Sequence, residues 1–115
     1  MNSNKKGKVG EREWAEMLRS FGYDARRGQQ FSGSPDSPDV VSQELNWLHF
    51  EVKRCETLNI SKAMAQACTD CGGKMPVVAH RKNGEKWLVT MDADTFGWFL
   101  RHASFFKKAE THSHD

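Results

Sequence analysis

The sequence predicts a single α/β domain in which helices flank a central mixed β-sheet. The chain has 115 residues, a length that suits one hydrophobic core. Its composition, 37% hydrophobic and 28% charged, is typical of soluble globular proteins and argues against a disordered or fibrous chain. Helical and strand-like hydrophobic patterns alternate along it. We assign the domain to residues 1–106 and a polar, disordered tail to residues 107–115.

The first element is an amphipathic helix over about residues 7–21. Glu11 lies on or beside its apolar stripe, where a carboxylate is costly without a partner. Two interpretations of Glu11 stay open: an acid at the helix start that the helix dipole favours, or an acid directed into a site. Large apolar residues at i, i+3, i+4 and i+7 define the stripe, and a glycine ends it: Trp14, Met17, Leu18, Phe21 and Gly22.

The next segment predicts a loop followed by two strands. Residues 28–38 are rich in Gly, Gln, Ser and Pro, which is typical of a loop. Residues 39–41 form a brief buried strand, and residues 47–53 a longer one. Alternation in the longer strand gives one apolar face, with Leu48, Phe50 and Val52, and one polar face, with Trp47, His49, Glu51 and Lys53.

The second half of the chain predicts a helix, a hairpin and a last helix. The helix covers residues 61–71 and ends at two glycines. Strands over residues 76–80 and 86–90 are joined through Asn83-Gly84. The last helix begins near Asp92 or Asp94 and runs past Leu100.

The three cysteines do not predict a disulfide framework, since their number is odd and no secretion signal is recognised. Cys68 and Cys71 form a CxxC that is compatible with a zinc site or a redox pair. A structural zinc site needs a second ligand pair, and the other candidates are scattered singly. Both cysteines also share helical spacing with Ile60 and Met64, so a buried helix face accounts for them.

Net charge is only +2, but basic residues form local clusters that suit a phosphate backbone. Solvated loops carry such clusters equally often. The clusters are Lys5, Lys6 and Lys8; Arg26 and Arg27; Arg81 and Lys82; and Lys107 and Lys108. The sequence has neither a signal peptide nor an apolar run long enough for a membrane helix, so we expect a cytosolic protein without membrane contact.

A group of acids and one lysine predicts metal-dependent chemistry on phosphodiesters. Asp39 begins one strand, and Glu51 and Lys53 share a face of the next. Two carboxylates, with the Val52 carbonyl as a further ligand, can hold a hard cation such as Mg²⁺. A lysine beside that cation can orient or deprotonate water, or neutralise developing charge. The triplet alone arises often by chance; its spacing after Asp39 and the upstream Glu11 make the pattern more specific.

These segments resemble the PD-(D/E)xK nuclease superfamily, and most closely its archaeal and phage Holliday-junction resolvases. The likeness extends over about residues 5–90 and continues through the helix with Gln66 and the strand at 76–80. The matching stretches are GKVGERE at 7–13, ARRGQQFSG at 25–33, SPDVV at 37–41 and FEVKR at 50–54. The resemblance implies a restriction-endonuclease-like core.

The resemblance also implies roles for individual residues. Asp39 and Glu51 would be the principal ligands of Mg²⁺, or of Mn²⁺ in its place, and Glu11 would complete the site directly or through water. Lys53 would be the catalytic lysine. Ser32 would be the active-site serine that contacts phosphate, with Ser34 as the alternative. The DNA contacts would come from the basic and polar side chains of Lys5, Lys6, Lys8, Arg26, Arg27, Ser34, Arg54, Lys62 and Gln66.

The function implied is a Mg²⁺-dependent, structure-selective endonuclease that acts on branched double-stranded DNA without a small-molecule cofactor. A related nuclease acting on flaps, nicks or foreign DNA, and a non-catalytic DNA-binding module, are the alternatives. The resemblance further implies a homodimer. In the last helix, Trp98 and Phe105 lie opposite an apolar stripe and are candidates to meet a second subunit. The alternative is that the helix ends near His102 and Phe105 folds back.

Overall fold

A five-stranded mixed β-sheet lies at the centre of the fold, with helices against it, which confirms the predicted class. The structure is a computed structural model that describes residues 3–28 and 39–113, with side chains described for 7–28 and 39–103. The predicted loop, with Ser32 and Ser34, and the side chains of Lys5 and Lys6 lie outside these residues. The elements are α1 (Ser3–Ser20), β1 (Ala25–Arg27), β2 (Val40–Ser42), β3 (Leu48–Arg54), α2 (Ile60–Asp70), β4 (Met75–Arg81), β5 (Leu88–Thr90) and α3 (Ala93–Ser113).

The strands lie in the order β1-β2-β3-β4-β5, so each strand neighbours the next one along the chain. All neighbouring pairs are antiparallel except β3 and β4, which are parallel and connected through α2. A parallel pair needs such a crossover, and the crossover helix covers one face of the sheet. This connection places the carboxyl ends of β3 and β4 side by side, with Arg54 opposite Arg81.

The α1 face of the sheet holds the larger apolar cluster. Trp14 on α1 is buried there, with its ring centroid 5.7 Å from that of Phe50 and 5.3 Å from that of Trp87. Aromatic rings at these separations pack favourably edge to face or tilted. Val52 and Ala79 complete the strand side of this cluster. The apolar stripe predicted for the first helix is therefore confirmed, except that Phe21 follows the end of α1 and is exposed.

The opposite face of β3 is also buried, which the alternation pattern did not predict. Ala63 and Ala67 of α2 pack with Val78 of β4 in a second apolar cluster on this side. As a result, His49 and Glu51 are covered rather than solvated. The polar face that the alternation predicted is thus covered as well, because a strand next to a parallel crossover is covered on both sides.

Gly10 allows α1 to approach β3 closely. A Cβ atom at this position would lie 2.7 Å from Arg54 Cβ and 3.5 Å from Val52 Cγ1, closer in the first case than atoms can pack. Glycine removes that obstacle. The close approach brings the next residue of the helix, Glu11, beside the strand that carries Glu51 and Lys53.

The second helix begins at Ile60, where the Asn59 side chain accepts a hydrogen bond of 3.0 Å from the Lys62 amide. It ends before two glycines with positive φ, as predicted. Cys68 is exposed, so the expectation that it lies on the buried face was wrong. The face turned to the sheet is the one that carries the alanines.

The last helix, α3, begins after Asp92, whose side chain accepts the Thr95 amide at 2.8 Å, as a helix N-cap does. It continues to Ser113, so it includes residues 107–113 that the sequence assigned to a tail, and it does not end near His102. Trp98 packs on Trp47 of its own chain, with ring centroids 4.6 Å apart. The Phe105 side chain lies outside the described part. No helix among the described residues is long and apolar enough to span a membrane.

Candidate active site

A hydrogen bond joins Asp39 to the strand that carries the other candidate residues. Asp39 directly precedes β2, and its Oδ2 accepts the backbone N–H of Val52 at 2.8 Å. Its own amide donates to the Phe50 carbonyl at 3.3 Å. Both contacts come from the alignment of β2 with β3. The acid that begins one strand is thereby held beside the Glu51-Val52-Lys53 segment of the next.

Glu51 and Lys53 project from the same face of β3, as the alternation predicted. Glu51 is 5% exposed, and its Oε2 lies 3.9 Å from the Lys53 ammonium nitrogen. The Lys53 side chain is only partly buried, so its charge stays accessible from solvent while it neighbours the carboxylate. The Glu51 carboxylate and the Lys53 ammonium therefore lie side by side at the edge of the β3 face that α2 covers.

Glu11, which lies on or beside the apolar stripe of α1, forms an ion pair with Arg27. Its Oε2 accepts from Arg27 Nε at 2.9 Å, and the carboxylate is the more buried member of this ion pair. Because α1 begins at Ser3, Glu11 lies beyond the first turn of the helix. The interpretation as a helix-start glutamate was therefore wrong, and an acid directed to the strands is the remaining one.

The electrostatics of Asp39 show that these groups are close enough to influence one another. The pKa of Asp39 is raised from 3.8 to about 6, chiefly by burial and also by the negative charges of Glu51 and Glu11, while the Val52 N–H and Lys53 act to lower it. Asp39 therefore lies within electrostatic reach of both other acids and of the lysine. Ionisation of Asp39 leaves negative charge that this local protein environment only partly compensates.

This donor set fits a small, hard cation. Mg²⁺ in proteins often takes one or two carboxylates and completes its shell with water and substrate phosphate. Asp39 and Glu51 supply the carboxylates. The Val52 carbonyl is directed to the same strand edge as the Val52 N–H that binds Asp39. Within the described ranges, no three His, Cys, Asp or Glu side chains are arranged to hold a metal ion, so the candidate set consists of two carboxylates and a carbonyl.

The candidate DNA-contacting side chains fall into two groups. Lys8, Arg26, Lys62 and Gln66 are exposed. Arg27 and Arg54, in contrast, are engaged by acids of α1. Gln66 lies on the solvent side of α2.

An ion-pair cluster beside the site was not anticipated from the sequence. Glu13 Oε1 accepts from Arg54 Nε at 3.1 Å and from Arg81 Nη1 at 2.7 Å, which ties α1 to the ends of β3 and β4. The register places the two arginines opposite each other, and like charges in that position require an acid between them. The sequence alone could not show that Arg54 and Arg81 are neighbours that need an acid between them, because this depends on the register of β3 and β4.

His49 is a further buried group that the sequence analysis did not assign to the site. Its Nε2 lies 3.3 Å from Glu51 Oε1. The available signal was its position two residues before Glu51, on the same strand face. The CxxC cysteines have a different environment: Cys68 Sγ donates to Asp92 Oδ2 at 3.8 Å, at the far end of α2.

Comparison with known proteins identifies no family. No family model matches this chain, and no curated protein matches it significantly. The resemblance to PD-(D/E)xK nucleases therefore rests on the short sequence motifs.

Proposed function

We propose that this protein is a metal-dependent endonuclease that hydrolyses phosphodiester bonds in branched DNA, as Holliday-junction resolvases do. The observation that carries the proposal is the hydrogen bond between Asp39 Oδ2 and the Val52 amide. It unites a strand-start aspartate with a Glu-x-Lys segment of the neighbouring strand. That combination, with a helix glutamate nearby, supports phosphodiester chemistry better than a simple solvated strand.

Each residue of the site has a distinct task in this proposal. Asp39, Glu51 and the Val52 carbonyl would hold Mg²⁺ or Mn²⁺, and Glu11 would act directly or through water. The bound cation supplies polarisation of the phosphate and a water of lowered pKa. Lys53 would orient that water and, as an ammonium, neutralise charge on the phosphate oxygens as the bond breaks; only a neutral Lys53 amine could take the proton of the water instead.

DNA would be held mainly through its backbone, since structure-selective recognition depends on shape and phosphate contacts more than on base edges. The exposed Lys8, Arg26 and Lys62 are available for such contacts. Arg27 would contribute a partly exposed guanidinium next to the site while it holds Glu11.

The proposal includes a homodimer, because a four-way junction needs two symmetric cuts. Exposed apolar side chains support a second-subunit contact: Phe96 is 53% and Leu100 51% exposed, one helical turn apart on α3. Trp98 is less suited than the sequence indicated, because it already packs on Trp47.

Cleavage of a synthetic four-way junction, with and without Mg²⁺, tests the function. We expect paired symmetric nicks from the wild-type protein with Mg²⁺, and none from Glu51→Gln. Glu16→Gln is the matched control, because it makes the same change at an exposed position of α1 and should cut normally.

Linear, nicked and flapped duplexes of equal length complete the panel. If flapped or nicked duplexes are cut as fast as the four-way junction or faster, the junction is not the preferred substrate, and the related-nuclease alternative replaces the resolvase proposal. Tight DNA binding by wild type with no cleavage under any divalent cation would indicate a non-catalytic binding module and contradict the proposal.

A further inference from the structure

A buried histidine lies against the Glu51 carboxylate on the face of β3 that α2 covers. His49 is 1% exposed, and its Nε2 is 3.3 Å from Glu51 Oε1. The two residues are separated by one position in the strand, so they project from the same face. A polar ring buried this completely needs a hydrogen-bond partner, and the carboxylate provides one.

The two oxygens of Glu51 have different neighbours. Oε1 is bound by His49, while Oε2 lies toward the Lys53 ammonium. An ionised carboxylate only accepts hydrogen bonds, so the ring must carry its proton on Nε2, and the neutral imidazole is sufficient for this. A contact to one oxygen limits rotation of the carboxylate about its last bond. Oε2 is thereby kept on the side of the Lys53 ammonium.

We propose that His49 is a positioning residue that fixes the Glu51 carboxylate for cation binding by donating a hydrogen bond from Nε2 to Oε1. This inference rests on the proposed function, since it concerns the same carboxylate. The competing view is that the pair merely satisfies two buried polar groups. The two views differ in one respect: only a positioning role makes cation affinity depend on the donor at residue 49.

Titration of Mn²⁺ into DNA-free protein, followed by calorimetry, measures that affinity without cleavage. His49→Phe keeps a ring of similar shape but removes the donor, and His49→Gln keeps a donor near the place of Nε2. Loss of a hydrogen-bond partner behind a metal ligand costs about 10- to 100-fold in affinity. We expect a loss of that size for His49→Phe and recovery of most of the affinity for His49→Gln, with both variants folded by circular dichroism.

Glu51→Gln, run in parallel, separates the two proposals. If wild type binds Mn²⁺ no better than Glu51→Gln, the metal site itself is wrong. If wild type binds better than Glu51→Gln but His49→Phe equals wild type, only the role of His49 is overturned. Equal loss in folded His49→Phe and His49→Gln would also overturn it, because the donor would not be what matters.

A measurement on wild type covers the case in which the variants do not fold. Nitrogen-15 NMR of the imidazole reports which ring nitrogen carries the proton. The positioning role requires a proton on Nε2 both before and after addition of Mg²⁺. A ring with an unprotonated Nε2 in the Mg²⁺-bound protein would overturn the proposal.

Discussion

The Asp39 carboxylate is partly buried near two other acids, so it ionises less readily in the folded protein than in water. The pKa of about 6 has burial as its main cause, and the hydrogen bond from Val52 opposes the shift without cancelling it. A group of this kind gains from a nearby cation more than from protein partners. The same feature that suits cation binding should therefore lower the stability of the cation-free protein.

Asp39→Asn should stabilise the cation-free protein at pH 7.5. The folded pKa is raised, so the folded state binds the proton more tightly than the unfolded state, and wild type loses stability as pH rises from about 4 through 6. A shift from 3.8 to about 6 corresponds to a gain of up to roughly 3 kcal/mol for the uncharged variant. Urea unfolding in EDTA at pH 7.5 and pH 4 measures the gain, which should fall to a small fraction at pH 4, close to the unfolded pKa of 3.8.

Asp24→Asn is the control, because we expect it to change the free energy of unfolding in the opposite direction. The Asp24 carboxylate accepts from Ser42 Oγ at 2.6 Å and from the Glu44 amide at 3.2 Å, and these contacts lower its pKa. Its replacement should therefore destabilise the protein at neutral pH. A gain for Asp39→Asn that is equal at pH 4 and pH 7.5 would show that ionisation is not its origin.

Lys53→Ala should abolish most of the cleavage while leaving DNA binding. Loss of a positioned acid–base or charge-stabilising group typically lowers the rate by about 10²–10⁴-fold. DNA binding should be kept, because in the proposed mechanism Lys53 acts on the reacting groups and not on the duplex as a whole. Single-turnover cleavage and a gel-shift titration separate the two effects. Lys74→Ala serves as the control, because Lys74 is exposed and lies just before the start of β4, whereas Lys53 lies beside the end of that strand. Equal cleavage rates for the two variants would show that Lys53 has no part in the mechanism.

At the level of elements, the position of α1 decides whether Glu11 reaches the strands. Gly10 permits the close approach to β3, and Glu13 holds the helix through Arg54 and Arg81. These contacts involve side chains on three elements. Weakening any of them should displace Glu11 without changing Asp39, Glu51 or Lys53.

Gly10→Ala should destabilise the protein and reduce cleavage. The added methyl group would lie 2.7 Å from Arg54 Cβ, and overpacking of this kind costs about 1–3 kcal/mol. Gly7→Ala on the same helix meets nothing within 4 Å and should gain up to about 1 kcal/mol from helix propensity. Urea unfolding and junction cleavage compare the pair; a Gly10→Ala protein as stable and active as Gly7→Ala would contradict the close-packing argument.

Periodicity predicted where most elements lie, but not all of their ends. The stripe of α1 and the glycine stop of α2 were readable because both depend on residues within a few positions of one another. The start of α1 at Ser3 and the continuation of α3 to Ser113 were not, since polar residues at a helix end carry no periodic signal.

At the scale of the whole molecule, the proposed homodimer is tested at the exposed apolar turn of α3 that contains Phe96 and Leu100. We expect wild type to sediment as a dimer and the double variant Phe96→Asp, Leu100→Asp as a monomer, since two buried charges would oppose association. Arg101→Asp, at an exposed polar position of the same helix, should stay dimeric. A wild-type protein that sediments as a monomer would contradict the proposed homodimer.

The sequence by itself determined the fold class and nominated Asp39, Glu51 and Lys53. Hydrophobic period and strand alternation are local properties, so the shared face of Glu51 and Lys53 could be inferred from their spacing alone. The structure decided what these residues contact: it joined Asp39 to Val52, covered the face of Glu51 with α2, and placed His49 behind it.

The tertiary structure alone also supplied the ion pairs around the site. Arg27 and Glu11 are 16 positions apart, Arg54 and Glu13 are 41 apart, and Arg81 and Glu13 are 68 apart. Such pairs depend on strand order and register, where a slip of one residue turns every side chain to the opposite face. Composition and periodicity contain no information about register between distant strands, which is the physical reason that these contacts could not be predicted.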